Sequence, residues 1–259
     1  MKDKIAFVVL SCDAYSDIWG AYGLTFETFW PDCPYDCYLA SHTKEFNKNG
    51  FSPLLLGNDY SWSHGLIVTI ELLKKMGYKY AMIAFDDLML TKKVDTSFVV
   101  KAIERFVSEE GDCLRFVPNK TPRCSKYNSY YGKMAQKVPY RVTLGFTLWR
   151  LDTLEKITVD GESAWQFEKN ATERSFNFEK FFCTKRSPFK FLNLVIKRKL
   201  DYFEYRKLKK ILPDIQINRE QTIVIKERLM GIFLWFFLHY LPSKIQYKLY
   251  QKYSKPINM

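Results

Sequence analysis

Apolar positions in the first 150 residues alternate between two patterns. Ile5 to Leu10 is an unbroken apolar run, the mark of a strand covered on both faces in a parallel sheet. A polar segment, Ser11 to Asp17, follows directly. A second short strand is expected over Cys37 to Ala40, after the turn-rich Trp30-Pro31-Asp32-Cys33-Pro34. Past Ser61 or Ser63, either of which can cap a helix, apolar residues recur at Leu66, Ile67, Ile70, Leu73 and Met76, and Gly77 stops the pattern. Tyr80 to Phe85 is another continuous apolar strand, and it ends abruptly in Asp86-Asp87. A second amphipathic helix is predicted from Thr96 to Glu109, with Phe98, Val99, Ala102, Ile103, Phe106 and Val107 on one side and Gly111 beyond its end. Strands over Cys113 to Val117 and Val142 to Trp149 complete a β-α-β-α-β alternation. The fold class this predicts is α/β, a Rossmann-type sheet flanked by helices. In such open sheets ligands bind at the carboxyl ends of the strands, where Ser11 to Asp17 and Asp86-Asp87 both fall.

Charge divides the chain. Residues 1 to 184 hold 23 basic and 23 acidic side chains, whereas residues 185 to 259 hold 17 basic and 5 acidic, so the net charge of +12 belongs wholly to the last 75 residues. That excludes a basic nucleic-acid binder along the whole length and predicts a neutral body, 1 to 184, followed by a cationic tail, 185 to 259. At 47% hydrophobic and 26% charged, the composition excludes both a disordered chain and a multi-span membrane protein. The six cysteines form no CxxC pair and have no histidine at zinc-ligand spacing, which fits a reduced, cytoplasmic chain. Six apolar residues near the start are too few for a signal peptide.

The tail has its own pattern. From Lys190 to Lys210 basic residues alternate with Phe, Leu, Val, Ile and Tyr, a basic amphipathic helical region. Met230 to Leu241 is then nearly all apolar and is closed by Pro242. As a helix it would span about 18 Å, short of the roughly 30 Å hydrocarbon core of a bilayer. With Lys226, Arg228, Lys244, Lys248 and Lys252 around it, and Tyr240, Tyr247, Tyr250 and Tyr253, it fits an interfacial helix on an anionic inner-membrane surface. A core or dimer helix with solvated basic residues is the alternative.

Three constellations carry candidate chemistry. Two adjacent carboxylates at the end of a buried strand need a compensating cation, and an all-oxygen site favours Mg2+ or Mn2+ held together with substrate phosphates. The plainer alternative has Asp87 capping the next turn and Asp86 solvated. Glu162, between Gly161 and Trp165 in Gly161-Glu162-Ser163-Ala164-Trp165-Gln166-Phe167-Glu168, has the setting of a carboxyl with a raised pKa, hence of a general base. The same stretch also reads as a helix start with Trp165 in the core. Pro118 to Tyr140 carries Lys120, Arg123, Lys126, Lys133, Lys137 and four tyrosines without an acid, the composition of a lid over a phosphorylated substrate or of a long solvated loop.

Taken together, Val8 to Trp19, Trp30 to Pro34, Trp62-Ser63, Phe85-Asp86-Asp87-Leu88 and Gly161 to Glu168 resemble the GT-A-type glycosyltransferases of bacterial capsule and lipopolysaccharide O-antigen biosynthesis. The resemblance covers roughly residues 4 to 180 and implies a GT-A-like mixed sheet. It implies a nucleotide-sugar donor, a UDP-sugar, bound by Ser11, Cys12, Asp13, Asp17, Ser63 and Asp86, with Asp86 and Asp87 as the acidic motif at a Mn2+ or Mg2+. Glu162 would be the base that deprotonates the hydroxyl of a glycan or lipid-linked acceptor, giving inversion, with Glu168 its rival. His64 is a further candidate for the site. The two carboxylates are adjacent here, where the usual motif spaces them, which leaves metal-independent chemistry open. The cationic, aromatic tail argues for peripheral attachment to the cytoplasmic face of the inner membrane and for no nucleic-acid partner. A nucleotidyltransferase would share the sheet and the acids, but Ser11 to Trp19 lacks the glycine-rich basic loop usual there. A non-catalytic membrane or nucleic-acid adaptor is the remaining alternative.

Overall fold

The computed structural model describes residues 4–118, 124–242 and 245–249. Four strands, β1 (Ile5–Leu10), β2 (Asp36–Ser41), β3 (Phe51–Leu55) and β4 (Tyr80–Phe85), lie parallel in the spatial order β3-β2-β1-β4. After β4 the chain turns out of this sheet into β5 (Leu88–Leu90). It returns as β6 (Cys113–Arg115), the short hairpin β7 (Ser125–Lys126) and β8 (Tyr131–Lys133), then β9 (Thr147–Arg150) and β10 (Phe181–Thr184). The full order is β3-β2-β1-β4-β9-β6-β10-β8-β7, with β9 antiparallel to both its neighbours, so the sheet is mixed. Beyond it, β11 (Phe191–Asn193) pairs with β5, and β12 (Val195–Ile196), β13 (Lys199–Asp201) and β14 (Gln221–Thr222) form a small third sheet.

Strand β1 shows why the layers form. Alternate side chains leave opposite faces of a strand, and here both faces are covered. Phe7 and Val9 enter one core with α1 (Ser16–Phe29) and α3 (Thr96–Ser108). Ala6, Val8 and Leu10 enter the other with α2 (Trp62–Lys75), α4 (Leu151–Ile157) and α5 (Ala164–Arg174). The expected α/β fold with a mixed central sheet flanked by helices is the observed one.

Several boundaries differ from expectation. Helix α1 escapes a sequence reading because its start carries no capping signal: Tyr15 occupies the N-cap without a side-chain bond. Its apolar face, Ile18, Trp19, Tyr22 and Phe26, is nonetheless buried. The strand expected over Val142 to Trp149 is shortened to Thr147–Arg150, because Phe146 has a left-handed φ of 48° that breaks the extended run; Val142 and Leu144 are buried as irregular chain. Past Asp86-Asp87, β5 leaves the main sheet to pair with β11.

The basic tyrosine-rich segment is corrected as well. Its described part is a docked sheet edge, β7 and β8, with Tyr131, Met134 and Val138 buried and the Tyr131 hydroxyl donating to Glu109 at 2.9 Å. A lid is therefore not what these residues form; Lys120 and Arg123 lie outside the described residues.

The first part of the tail belongs to the body's core, so the boundary expected at 184 falls inside packed structure. Phe189 stacks on Phe146 with centroids 4.5 Å apart, and Leu192, Leu194, Val195, Leu200 and Leu208 are buried in the same cluster. Buried Asp201 caps α6 (Tyr202–Ile211) and accepts two bonds from Arg228 at 2.9 Å. That Arg lies on α7 (Ile225–Tyr240), the helix holding the apolar run. None of residues 228–237 is buried. Of the flanking groups named above, Lys244, Tyr250, Lys252 and Tyr253 lie outside the described residues.

Candidate active site

The parallel register places Leu10 opposite Phe85, so the chain leaving β1 and the acids leaving β4 emerge side by side. The Ser11 hydroxyl donates to the Asp86 carboxylate. From α1, the Trp19 indole N–H donates to Ser11 Oγ at 2.6 Å and reaches Asp86 Oδ2 at 3.3 Å. These donors only partly offset the environment: burial, then the charge of Asp87, pushes the Asp86 carboxyl up to about 8. Burial likewise pushes Asp87 up to about 7. The Asp87 side chain is partly exposed and has no side-chain partner among the described residues, while its backbone C=O accepts from Leu194 N–H at 2.8 Å.

A cation does approach the pair, from a residue the sequence did not single out. Arg219 Nε donates to Asp17 Oδ2 at 2.9 Å, Nη2 to the Ala14 carbonyl at 2.8 Å and Nη1 to the Arg198 carbonyl at 3.1 Å. Its guanidinium lies over the Tyr15 ring, 4.4 Å from the centroid, and its field favours ionised Asp86. No sequence signal marks it, because only the return of the tail across the sheet's carboxyl edge brings it beside Asp17.

The other residues expected around a nucleotide are held as follows. Asp13 Oδ1 accepts the backbone N–H groups of His42 and Lys44 at 3.0 and 3.2 Å, and both its oxygens accept from Thr43. Burial acts to raise the Asp13 carboxyl, but the Thr43 hydroxyl and these N–H groups together hold it below its ordinary value. Asp13 therefore ties the loop after β1 to the loop after β2. Cys12 is partly buried; burial raises its thiol, and the charges of Asp86 and Asp59 add to the rise.

The second half of the rim is built from the N-termini of α2 and α5. The Ser63 hydroxyl accepts from Glu162 N–H at 2.8 Å, and Ser63 N–H donates to the Glu162 carbonyl at 3.1 Å. Trp62 and Phe167 pack beneath this junction, 5.4 Å apart. The raised pKa expected for Glu162 is corrected. Burial acts in that direction, but two bonds from Arg174, at 2.9 and 2.6 Å, and one from Asn170 at 2.7 Å hold the carboxyl low. Trp165, expected either beside the acid or in the core, is 84% exposed and so lies outside the core. Glu168 lies close enough to Tyr140 that, after burial, it raises that hydroxyl further. At the same junction Ser61 caps α2, and His64 Nδ1 lies 3.0 Å from Asp160 Oδ2.

The structure thus gathers Ser11, Cys12, Asp86 and Asp87, with Asp17 joined through Arg219, and places Ser63 and Glu162 at a neighbouring helix junction. Among the described residues no group of three or more His, Cys, Asp or Glu assembles as a metal site. A cation would rest on Asp86 and Asp87 and on oxygens supplied by a ligand. The residues fit such an ion in charge, because adjacent acids, Asp86 buried and Asp87 partly so, lacking a full counter-charge would be relieved by it.

No protein-family model matches the chain, and no curated protein matches its sequence. Solved structures do. UDP-glucose pyrophosphorylase from Acinetobacter baumannii superposes with a TM-score of 0.53 at 9% identity, over 90% of this chain and 100% of that one. The UTP-bound UGPase of the same organism gives 0.51 at 9% identity, over 90% and 99%. S. aureus TarS gives 0.43 at 10% identity, over 90% of this chain and 43% of that one, too distant to carry an argument. At these identities the likeness establishes a GT-A-like Rossmann-type fold.

Both acids keep their protons to higher pH in the folded chain than in the unfolded one. The stability this contributes is fully present below about pH 4 and is lost as pH rises through about 7 to 8. Asp87→Asn is expected to raise the melting temperature of metal-free protein at pH 8 by roughly 2–4 °C and to leave it little changed at pH 5. Thermal denaturation at the two pH values checks this.

Proposed function

We propose that this protein is a glycosyltransferase that moves a sugar from a nucleotide-sugar donor, a UDP-sugar, to a hydroxyl of a glycan or lipid-linked acceptor in surface polysaccharide biosynthesis, with inversion. The observation that carries the reading is the under-compensated Asp86-Asp87 pair at the carboxyl edge of the sheet, with Arg219 beside it. Such an arrangement suits a diphosphate together with a divalent cation, which Asp86 and Asp87 would hold together with oxygens of the ligand. When bound, Mn2+ or Mg2+ would neutralise charge developing on the leaving diphosphate. Arg219 can serve the same end by exchanging Asp17 for a phosphate oxygen, since a guanidinium fork matches both partners. Ser11 and Cys12 line the approach to the nucleoside, and Asp13 shapes its floor through the loop after β2.

Nucleotidyl transfer fits less well. The place after β1 where a basic, glycine-rich phosphate loop would lie is a tight 3-10 turn, Asp13–Tyr15, whose leading carboxylate is spent on the neighbouring loop.

The reading extends to a membrane. No helix among the described residues is long and apolar enough to cross one. Helix α7 nevertheless exposes Leu229, Met230, Ile232, Phe233 and Phe236, each more than half accessible. An apolar helix of 16 residues in a basic tail is suited to lie in the interface of an anionic bilayer, keeping the active site near a lipid-linked acceptor at the cytoplasmic face.

Two outcomes test this. A UDP-sugar should raise the melting temperature in the presence of Mn2+, and Asp87→Asn and Arg219→Ala should each weaken donor affinity tenfold or more, about 1.4 kcal/mol. A panel of nucleotide sugars that leaves the melting temperature unmoved with and without Mn2+ contradicts the donor assignment. In flotation with phosphatidylserine-containing liposomes, the full chain should float and the Leu229→Asp/Phe233→Asp variant should remain below. Equal flotation of the two contradicts membrane attachment through α7.

A further inference from the structure

We infer that His64, oriented by Asp160 and flanked by exposed Tyr60, is the general base for the acceptor hydroxyl, and that these side chains, with exposed Trp165 on the first turn of α5, form the acceptor carbohydrate subsite. This rests on the glycosyl-transfer reading above and adds to it a second, separate half of the site.

Asp160 is an exposed residue whose two carboxylate oxygens are both engaged. Its Oδ1 accepts the Ser61 hydroxyl at 2.9 Å and Gly161 N–H at 2.7 Å, and its Oδ2 meets His64 Nδ1 at 3.0 Å. The His64 ring, then Ser61 and Gly161, hold the Asp160 carboxyl below its ordinary value, so it is an anion at neutral pH. An anion facing Nδ1 requires Nδ1 to carry the proton, which leaves the lone pair of the neutral ring on Nε2. Among the described residues nothing bonds to Nε2, and the side chain is partly open to solvent. A carboxylate that fixes one ring nitrogen and frees the other is the arrangement by which a histidine is made a proton acceptor.

The fold does not need this ring. Ser61 already caps α2 through His64 N–H at 3.0 Å, and the loop before α5 is already pinned by Ser61 to Asp160 and by Ser63 to Glu162. What surrounds the dyad is unusual for a solvated ion pair. Tyr60 stands edge-on to the imidazole with centroids 5.0 Å apart and is 72% exposed, and Trp165 opens to solvent from the first turn of α5. A bare aromatic face beside a proton acceptor is what a sugar ring stacks on. The dyad also shares the rim with the acid pair. Helix α2 follows the parallel strand β3, so its first residues, Ser63 and His64 among them, stand at the same carboxyl edge of the sheet as the acids that end β4. Glu162, by contrast, is spent on Arg174 and Asn170, and a carboxyl held low is a weak proton acceptor.

The step balances without a further reactant. The acceptor oxygen forms a bond to the anomeric carbon as the bond from that carbon to the diphosphate oxygen breaks. The bonding pair leaves on the diphosphate, and the acceptor's proton passes to His64 Nε2.

The test measures transfer and donor binding separately in the full chain. His64→Ala is expected to lower kcat for transfer about 100-fold or more, leave UDP-sugar stabilisation unchanged and regain part of its turnover with added imidazole, which should not accelerate wild type. Asp160→Asn, a positioning change, should lower kcat without moving donor affinity, and Trp165→Ala should raise KM for acceptor alone. Should His64→Ala fail to fold, His64→Gln and Asp160→Asn give the same reading. Near-wild-type turnover in the His64 variants, or a defect imidazole does not relieve, overturns the dyad while leaving the donor assignment intact. A wild-type chain that neither binds nor turns over any nucleotide sugar overturns the underlying reading, and the dyad with it.

Discussion

The repulsion between two neighbouring carboxylates at the mouth of the central strand is the constraint around which this edge of the molecule is arranged. Strand β4 is apolar and buried between β1 and β9, so Asp86 leaves it with little water to stabilise its charge. The chain answers with neutral donors from Ser11 and Trp19, one strand and one helix away. Neither supplies charge. Arg219 supplies some of it, at the cost of being shared with Asp17 and with two backbone carbonyls. What is left is a site that gains from any ligand that brings positive charge or takes a bond from the guanidinium.

The tail is what completes that site, which changes the meaning of its charge. Its first part is structural: Phe189 fills the core against Phe146, β11 anchors β5, and Leu194 N–H holds the carbonyl of Asp87 itself. Arg219 then reaches the loop after β1, and Arg228 ties α7 to Asp201 and Glu204. Arg219 beside the acid pair and the exposed apolar helix α7 thus belong to one continuous stretch of chain.

Much of this was legible beforehand, for identifiable reasons. Continuous apolar runs bounded by acids or turns marked β1 and β4 residue for residue, and Ser61 and Gly77 bracketed α2, because those elements are specified by burial and capping that lie in the local sequence. Helix α1 was not legible because nothing local caps it and it begins in a polar segment; its burial comes from the cover of β1 and β2. In the site, Ser11, Asp86 and Asp87 were recognisable as polar residues ending strands. The engagement of Glu162 was not, because Arg174 lies at the far end of α5, where its charge has no visible relation to the Gly161 turn. Arg219 and the His64–Asp160 pair depend on contacts between segments far apart in the chain, which no spacing rule reports.

The charge state of the acid pair decides what this edge of the sheet can bind. Carboxyl 13C resonances of Asp86 and Asp87 followed by NMR through a pH titration measure it directly, first alone and then with Mg2+ and UDP. Two titrations near 7 to 8 are predicted for the free protein, both driven below the ordinary carboxylate range once Mg2+ and UDP are added. Two ordinary titrations near 4 that Mg2+ and UDP leave in place would contradict it.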